Sequence, residues 1–109
     1  MTMESQSHAV SQARIALPYD QLAEICRRYR VRQLALFGSV LRDDFGPQSD
    51  IDLLVEFLPG ARIGLAFFAM QDELSAAIGR TVDLNTAGFL GPRILPTVLA
   101  DALPIYVAA

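Results

Sequence analysis

Two aspartates near the middle of the chain are the side chains best suited to chemistry. Asp50 and Asp52 lie in the segment Ser-Asp-Ile-Asp-Leu-Leu-Val, whose apolar residues are typical of a strand. In a strand, residues two apart point to the same face, so both carboxylates would project side by side. Such neighbours repel each other unless a cation lies between them, and oxygen ligands suit a hard ion. The pair therefore predicts a Mg²⁺ site, with an exposed pair that caps a turn as the alternative.

A glycine and a serine, separated from these acids by ten residues, offer groups that suit a phosphate. Gly38 lacks a Cβ, so a phosphate could approach the backbone closely at this turn. Ser39 offers a hydroxyl, and the turn offers backbone N–H groups. Ser39 could equally serve as the N-cap of a short helix. A metal site and a phosphate site together indicate a nucleotide ligand.

The spacing of these two motifs resembles the signature of the DNA polymerase beta-type nucleotidyltransferases. The Gly-Ser, the following Arg42 and the Ser-Asp-Ile-Asp-Leu-Leu-Val wording are most similar to the minimal nucleotidyltransferase (MNT) branch. The resemblance covers roughly Tyr19 to Tyr106. It implies an α+β fold of the polymerase beta-like kind, with a small mixed sheet and helices packed on it.

The resemblance also assigns roles to individual residues. Asp83, in Val-Asp-Leu, matches the third carboxylate of the family, although the residues alone also allow an exposed position on an edge strand. The implied metal site consists of Asp50, Asp52 and Asp83, which would hold two Mg²⁺ ions. Gly38, Ser39 and Arg42 would contact the phosphates of ATP, with a solvent-exposed role as the alternative for Arg42. AMP transfer to a hydroxyl would release pyrophosphate, with Asp83 helping to deprotonate that hydroxyl.

The family also implies a partner protein. MNT proteins of this size are typically paired with a HEPN-domain toxin, so the resemblance implies an antitoxin that adenylylates a tyrosine of that toxin and assembles with it. Two alternatives stay open. The chain could neutralise the toxin by binding alone, or it could modify a small acceptor with the help of a separate helical subunit.

Composition narrows the protein class. The 109 residues are 52% hydrophobic and 19% charged, which is typical of one globular domain. The net charge is −3 and all nine basic residues are arginine, so a nucleic acid is an unfavoured substrate. We interpret the cluster of Arg27, Arg28, Arg30 and Arg32 as a solvated helix end. The chain shows neither a signal peptide nor an apolar run that could span a bilayer, which predicts a soluble cytoplasmic protein.

Periodicity and turn signals predict the elements that position the acids. Residues 1–17, which include the single histidine, His8, are expected to be a flexible tail before a domain of residues 18–109. Cys26 is expected in the core. The predicted helices are Tyr19 to about Arg30, Ile63–Ile78 with Gly79 after its end, and a third that follows Gly91-Pro92 and is ended by Pro104. The predicted strands are Val31–Phe37, Asp50–Phe57, Thr81–Thr86 and Ile105–Val107.

Overall fold

The computed structural model describes residues 15–42 and 45–109, and in these ranges helices alternate with strands. In chain order the elements are α1 (Tyr19–Arg28), β1 (Val31–Phe37), a 3-10 turn (Gly38–Leu41), β2 (Ile51–Phe57), α2 (Ala66–Ile78), β3 (Val82–Asn85), α3 (Leu95–Asp101) and β4 (Leu103–Val107). The strands and helices lie within about three residues of their predicted positions, and the α+β prediction is confirmed.

The four strands form one mixed sheet in the order β3-β2-β1-β4. Strand β1 runs antiparallel to both of its neighbours, β2 and β4. Strand β3 runs parallel to β2, so the chain must cross over between them, and α2 forms that crossover. The parallel pair is important for function because it places the start of β2 directly beside the start of β3.

The hydrophobic core lies on one face of the sheet, beneath α1 and α2. Residues alternate along β2, where Ile51, Leu53 and Val55 are buried and the intervening residues are not. The largest fully buried side chains are Leu22, Leu34, Leu36, Ile51, Leu53, Met70 and Leu74. Cys26 lies among them as predicted, and burial raises the pKa of its thiol to about 12. The other sheet face carries Asp52 and Glu56 as well as the apolar Ala35 and Leu54, and α3 lies against it.

Two side chains of α2 satisfy the outer edge of β3. Because β3 is the last strand of the sheet, some of its N–H groups have no neighbouring strand to bind. The N–H of Val82 donates to Ser75 Oγ at 3.0 Å, and the N–H of Leu84 donates to Gln71 Oε1 at 2.9 Å. These bonds fix the crossover helix to the strand that carries Asp83.

Two of the clustered arginines, Arg28 at the end of α1 and Arg32 on β1, also contribute to tertiary structure. Arg28 Nη2 lies 2.6 Å from Glu73 Oε1 on α2, and the hydroxyl of Tyr29 donates to the same carboxylate. Arg32 lies 3.6 Å from Glu56 on the neighbouring strand. The prediction of a merely solvated helix end is therefore incomplete, because Arg28 joins α1 to α2 at the surface.

One predicted boundary is wrong. Pro104 does not end the third helix, since α3 already ends at Asp101 and Pro104 lies within β4. Strand β4 is at the edge of the sheet, where a residue that lacks an N–H is tolerated. The pairing between β1 and β4 shifts register between Leu34 and Ala35, opposite Pro104, so the proline coincides with an irregularity in the ladder.

The described residues begin inside the predicted tail, at Ile15. Residues 1–14, including His8, lie outside the described residues, so the tail of residues 1–17 stays a prediction. Leu17 is buried and Ile15 packs against the core cluster. Within the part of the chain that the structure describes, none of the helices is long and apolar enough to cross a membrane.

The bonds between α2 and β3 give a first prediction. Gln71→Met keeps the length and helix propensity of the side chain but removes the acceptor for the N–H of Leu84, and should lower the free energy of unfolding by about 1 kcal/mol. Urea denaturation measures the effect. Ala76→Met, at an exposed position of the same helix, should change it by less than about 0.5 kcal/mol. Equal effects of the two changes would contradict a role for this bond.

Candidate functional site

Asp52 lies at the centre of the site, and strand register determines its neighbours. It pairs with Phe37 on β1 and with Asp83 on β3. Its sequence neighbours, Ile51 and Leu53, are buried in the core, so Asp52 projects from the opposite face of the sheet. Residues in register on neighbouring strands share a face, and Asp83 therefore projects from the same face as Asp52.

Asp50 adjoins this pair without belonging to the ladder. It is exposed and lies one residue before β2. The bonds between β2 and the segment that leads into β3 start only at Ile51, whose N–H donates to the carbonyl of Thr81 at 2.8 Å. Within residues 15–42 and 45–109, however, no three His, Cys, Asp or Glu side chains are placed so that they could hold a metal ion together. The structure thus brings the three predicted acids to one region, but their carboxylates do not form a closed three-ligand metal site.

The pKa of Asp52 shows that its carboxylate lies in an environment that disfavours a negative charge. Its pKa is raised above the ordinary value, first by burial, then by the charge of Asp83, and then by that of Asp50. The charge of Arg42 acts in the opposite direction and lowers the pKa. A half-buried carboxylate between two like charges is costly to ionise, and a bound cation would relieve that cost.

The turn at Gly38 fits tightly over Asp52. Its backbone is left-handed, with φ at +79°, a conformation that favours glycine. A Cβ added to Gly38 would overlap Asp52 Oδ2 and would lie 3.2 Å from its Cγ. The requirement for glycine, predicted from a close phosphate, therefore has a second cause, because the aspartate itself occupies the space.

The structure changes the interpretation of Ser39. The residue before the 3-10 turn is Phe37, with no capping side-chain bond, so the alternative of Ser39 as a helix N-cap is wrong. The carbonyl of Ser39 accepts from the N–H of Arg42 at 2.9 Å, which closes the turn. The Ser39 side chain is half-buried. A cleft opens beside Asp52, and Arg42 lines it whereas Ser39 does not.

A cleft of about 630 Å³ opens beside Asp52. One wall consists of Phe37, Gly38, Leu41, Arg42 and Asp52. The opposite wall consists of Ile94, Thr97, Val98 and Asp101, which start just before α3 and share one side of it. The sequence contained this signal as a helical spacing of three to four residues, but the distance along the chain gave no indication that α3 faces the acids. The volume lies within the usual range for ligand sites, about 300–1,000 Å³.

Comparison with known proteins identifies relatives of this arrangement. The nucleotidyltransferase domain family matches residues 19–103. A protein of Methanocaldococcus jannaschii, provisionally named a protein adenylyltransferase, is 40% identical over 81 residues, which cover 73% of this chain and 80% of the relative. The protein adenylyltransferase MntA of Thermococcus cleftensis is 35% identical over 86 residues, which cover 77% and 82%.

Solved structures show the same fold. A structure provisionally described as a minimal nucleotidyltransferase matches with a TM-score of 0.67 and 31% identity, over 79% of this chain and 87% of that one. A toxin–antitoxin structure with AMP-PNP matches at 0.67 and 19% identity, over 84% and 75%. A toxin–antitoxin structure of MntA and HepT matches at 0.59 and 17%, over 83% and 70%. The predicted nucleotidyltransferase fold is confirmed.

The contact at Gly38 can be tested against a matched glycine. Gly38→Ala and Gly60→Ala both force a side chain into a left-handed backbone. Only the first meets Asp52, because none of the described residues lies within 4 Å of a Cβ at Gly60. Gly60→Ala should cost about 1 kcal/mol of unfolding free energy. Gly38→Ala should cost at least about 1 kcal/mol more through overpacking. Urea denaturation measures both losses. Equal losses of unfolding free energy in the two variants would contradict the close approach of Gly38 and Asp52.

The raised pKa of Asp52 predicts how stability depends on pH. Between the ordinary pKa of 3.8 and the higher folded pKa, the folded state binds more protons, so stability falls as pH rises through that window. Asp52→Asn should therefore raise the melting temperature of the metal-free protein at pH 7. The gain should disappear below about pH 4.

Thermal melts from pH 3 to 8 check this prediction. Asp72→Asn, at an exposed position on α2, controls for the loss of one negative charge from an acidic chain. A lower melting temperature of Asp52→Asn at pH 7 would show that Asp52 is not under electrostatic strain.

Proposed function

The chain belongs to the nucleotidyltransferase domain family, and we propose that it transfers AMP from ATP to a hydroxyl of a partner toxin. The family match confirms the prediction of a nucleotidyltransferase, and its relatives include protein adenylyltransferases. The observation that carries the proposal is the register of Asp52 with Asp83, beside the Gly38 turn and at the mouth of the cleft. This arrangement combines carboxylates with a space for a nucleotide.

The donor set suits Mg²⁺. Asp50, Asp52 and Asp83 offer only oxygen, which a hard divalent ion prefers. Mg²⁺ commonly binds through one or two carboxylates and the substrate phosphates, so a closed protein cage of three ligands is not needed. The raised pKa of Asp52 supports a cation at this position, because the ion would offset the neighbouring charges. When bound, Mg²⁺ would withdraw charge from the phosphates and make the α-phosphate easier to attack.

The walls of the cleft provide for the rest of the nucleotide. Gly38 leaves the backbone of its turn accessible, and Arg42 adds a positive charge near Asp52 that would favour phosphate oxygens. Ser39 lies in the same turn and would contribute a backbone N–H. The α3 wall, with Ile94 and Val98, offers apolar surface for a base.

The reaction is an in-line displacement at the α-phosphorus. The acceptor oxygen forms a new bond to phosphorus, the bond from the α-phosphorus to the bridging oxygen breaks, and pyrophosphate leaves. Asp83 is exposed, so an acceptor from another protein could reach it, and it would receive the proton of the incoming hydroxyl. The half-buried Asp52 would stay beneath the phosphates.

The structural neighbours support a partner toxin as the source of the acceptor. Toxin–antitoxin structures share this fold, one of them with AMP-PNP, and others contain MntA with HepT. We propose a HEPN-type toxin as partner and a tyrosine hydroxyl as acceptor. Neutralisation by contact alone is the second candidate. The observation that favours it is exposed apolar surface at α3, where Ile94 and Leu99 are 56% and 58% exposed.

Label transfer distinguishes these two functions. With the proposed HEPN-type toxin as acceptor, label from α-³²P-ATP should reach the toxin and label from γ-³²P-ATP should not, because pyrophosphate leaves. Chelation by EDTA should stop the transfer. Asp50→Ala combined with Asp52→Ala should reduce labelling by at least about 100-fold, because the variant loses electrostatic stabilisation of the transferred group. Asp72→Ala, at an exposed position of α2, should label normally.

The biological readout is rescue of cells that express the toxin. If catalysis neutralises the toxin, the double variant should fail to rescue although it still binds the toxin. Full rescue by the double variant would establish neutralisation by contact and would overturn the proposed catalytic role.

A further inference from the structure

The position of Asp50 depends on a loop. Strand β2 begins at Ile51, so the ladder that fixes Asp52 and Asp83 does not extend to Asp50. The N–H of Gly46 donates to Ser49 Oγ, and the N–H of Ser49 donates to the carbonyl of Gly46, both at 3.0 Å. These bonds close residues 46–49 into a turn but do not attach that turn to the rest of the protein.

Arg80 makes that attachment. Its Nη2 donates to the carbonyl of Gly46 and to the carbonyl of Ser49, each at 2.7 Å. Its guanidinium carbon lies 4.6 Å from the ring centroid of Phe45. Short bonds from a charged donor are stronger than neutral ones, and stacking on an aromatic ring adds to them. The second bonded carbonyl belongs to the residue directly before Asp50.

The chain around Arg80 is itself well fixed. Gly79 ends α2 in a left-handed conformation, with φ at +80°. Thr81 follows Arg80, and its carbonyl accepts a hydrogen bond from the N–H of Ile51 at 2.8 Å. Asp83 lies three residues after Arg80. Arg80 therefore joins the segment that carries Asp50 to the segment that carries Asp83, and it is half-buried at that junction.

We propose that Arg80 is a positioning residue that places the Asp50 carboxylate beside Asp52 and Asp83 for divalent-ion binding. The inference rests on the proposed function, because it concerns the same acidic site. Arg80 donates to backbone carbonyls, so its effect on the site is exerted through the loop. A lysine could keep the charge and bind a carbonyl, but it lacks the planar group that stacks on Phe45.

The test measures Mn²⁺ binding to the full chain without nucleotide, by the electron paramagnetic resonance signal of free Mn²⁺. Arg80→Met should weaken Mn²⁺ binding about 10-fold, as is typical when a group that orients metal ligands is removed. Arg80→Lys should restore part of the affinity. Arg62→Met, at an exposed position in the loop after the far end of β2, should bind as the unchanged protein does.

A double-mutant cycle with Asp50→Asn separates positioning from a general loss of structure. If Arg80 acts through Asp50, Arg80→Met should weaken Mn²⁺ binding little further once Asp50 is already Asn. Additive effects of the two changes would overturn the proposal. If Arg80→Met does not fold, the same cycle with Arg80→Lys decides the question, with a smaller expected effect of about 3-fold on the same basis.

Hydrogen exchange on the metal-free protein gives an independent readout. In Arg80→Met the amide of Ser49 should exchange faster, while amides in α1 should exchange as before. Unchanged exchange at Ser49 would overturn the proposal. Normal Mn²⁺ binding by Asp50→Asn would show that Asp50 is not a ligand and would refute this proposal, whereas normal binding by Asp50→Asn combined with Asp52→Asn would refute the acidic metal site itself. Normal binding by Arg80→Met, alongside weakened binding by Asp50→Asn, would refute the role of Arg80 alone.

Discussion

The crowding of Asp52 is the constraint on which the site depends. Its carboxylate is half-buried on the polar face of the sheet, close enough to Asp83 and Asp50 for both to raise its pKa, and the Gly38 turn leaves no room for a Cβ beside it. Left to themselves, like charges at this spacing would separate. The surrounding backbone must therefore hold them together.

The fold supplies this rigidity from the core side of the sheet. Ladder bonds fix Asp52 against Phe37 and Asp83, while the alternating buried residues of β2 prevent a register shift, because a shift by one residue would expose the core. On β3 the support comes from Ser75 and Gln71, which bind the free edge of the strand. The costly arrangement of charges is thus held by neutral hydrogen bonds and apolar packing on the other side of the sheet.

Local sequence patterns predicted the strand that carries the acids and the turn at Gly38. The parts of the site that depend on contacts between distant residues could not be predicted. Alternation at Asp50–Val55 indicated a strand with both acids on one face, and the glycine at Gly38 indicated a tight turn, since both signals depend on neighbouring residues alone. The sequence could not show that Arg80 reaches back to Gly46 and Ser49, or that Asp101 lies in the cleft opposite Asp52. Pro104 misled because proline ends helices and also suits edge strands, and tertiary pairing decides between these outcomes.

The same charges that strain the site suit it to its proposed ligand. A nucleoside triphosphate is itself highly negative, so bare carboxylates would repel it, and among the described residues that line the cleft only Arg42 adds a positive charge. Divalent ions resolve both repulsions together, because they are attracted to the acids and to the phosphates. Binding of metal and nucleotide is therefore expected to be cooperative, each weak without the other. Stability given up at Asp52 would then be recovered as affinity for the proposed metal-bound nucleotide.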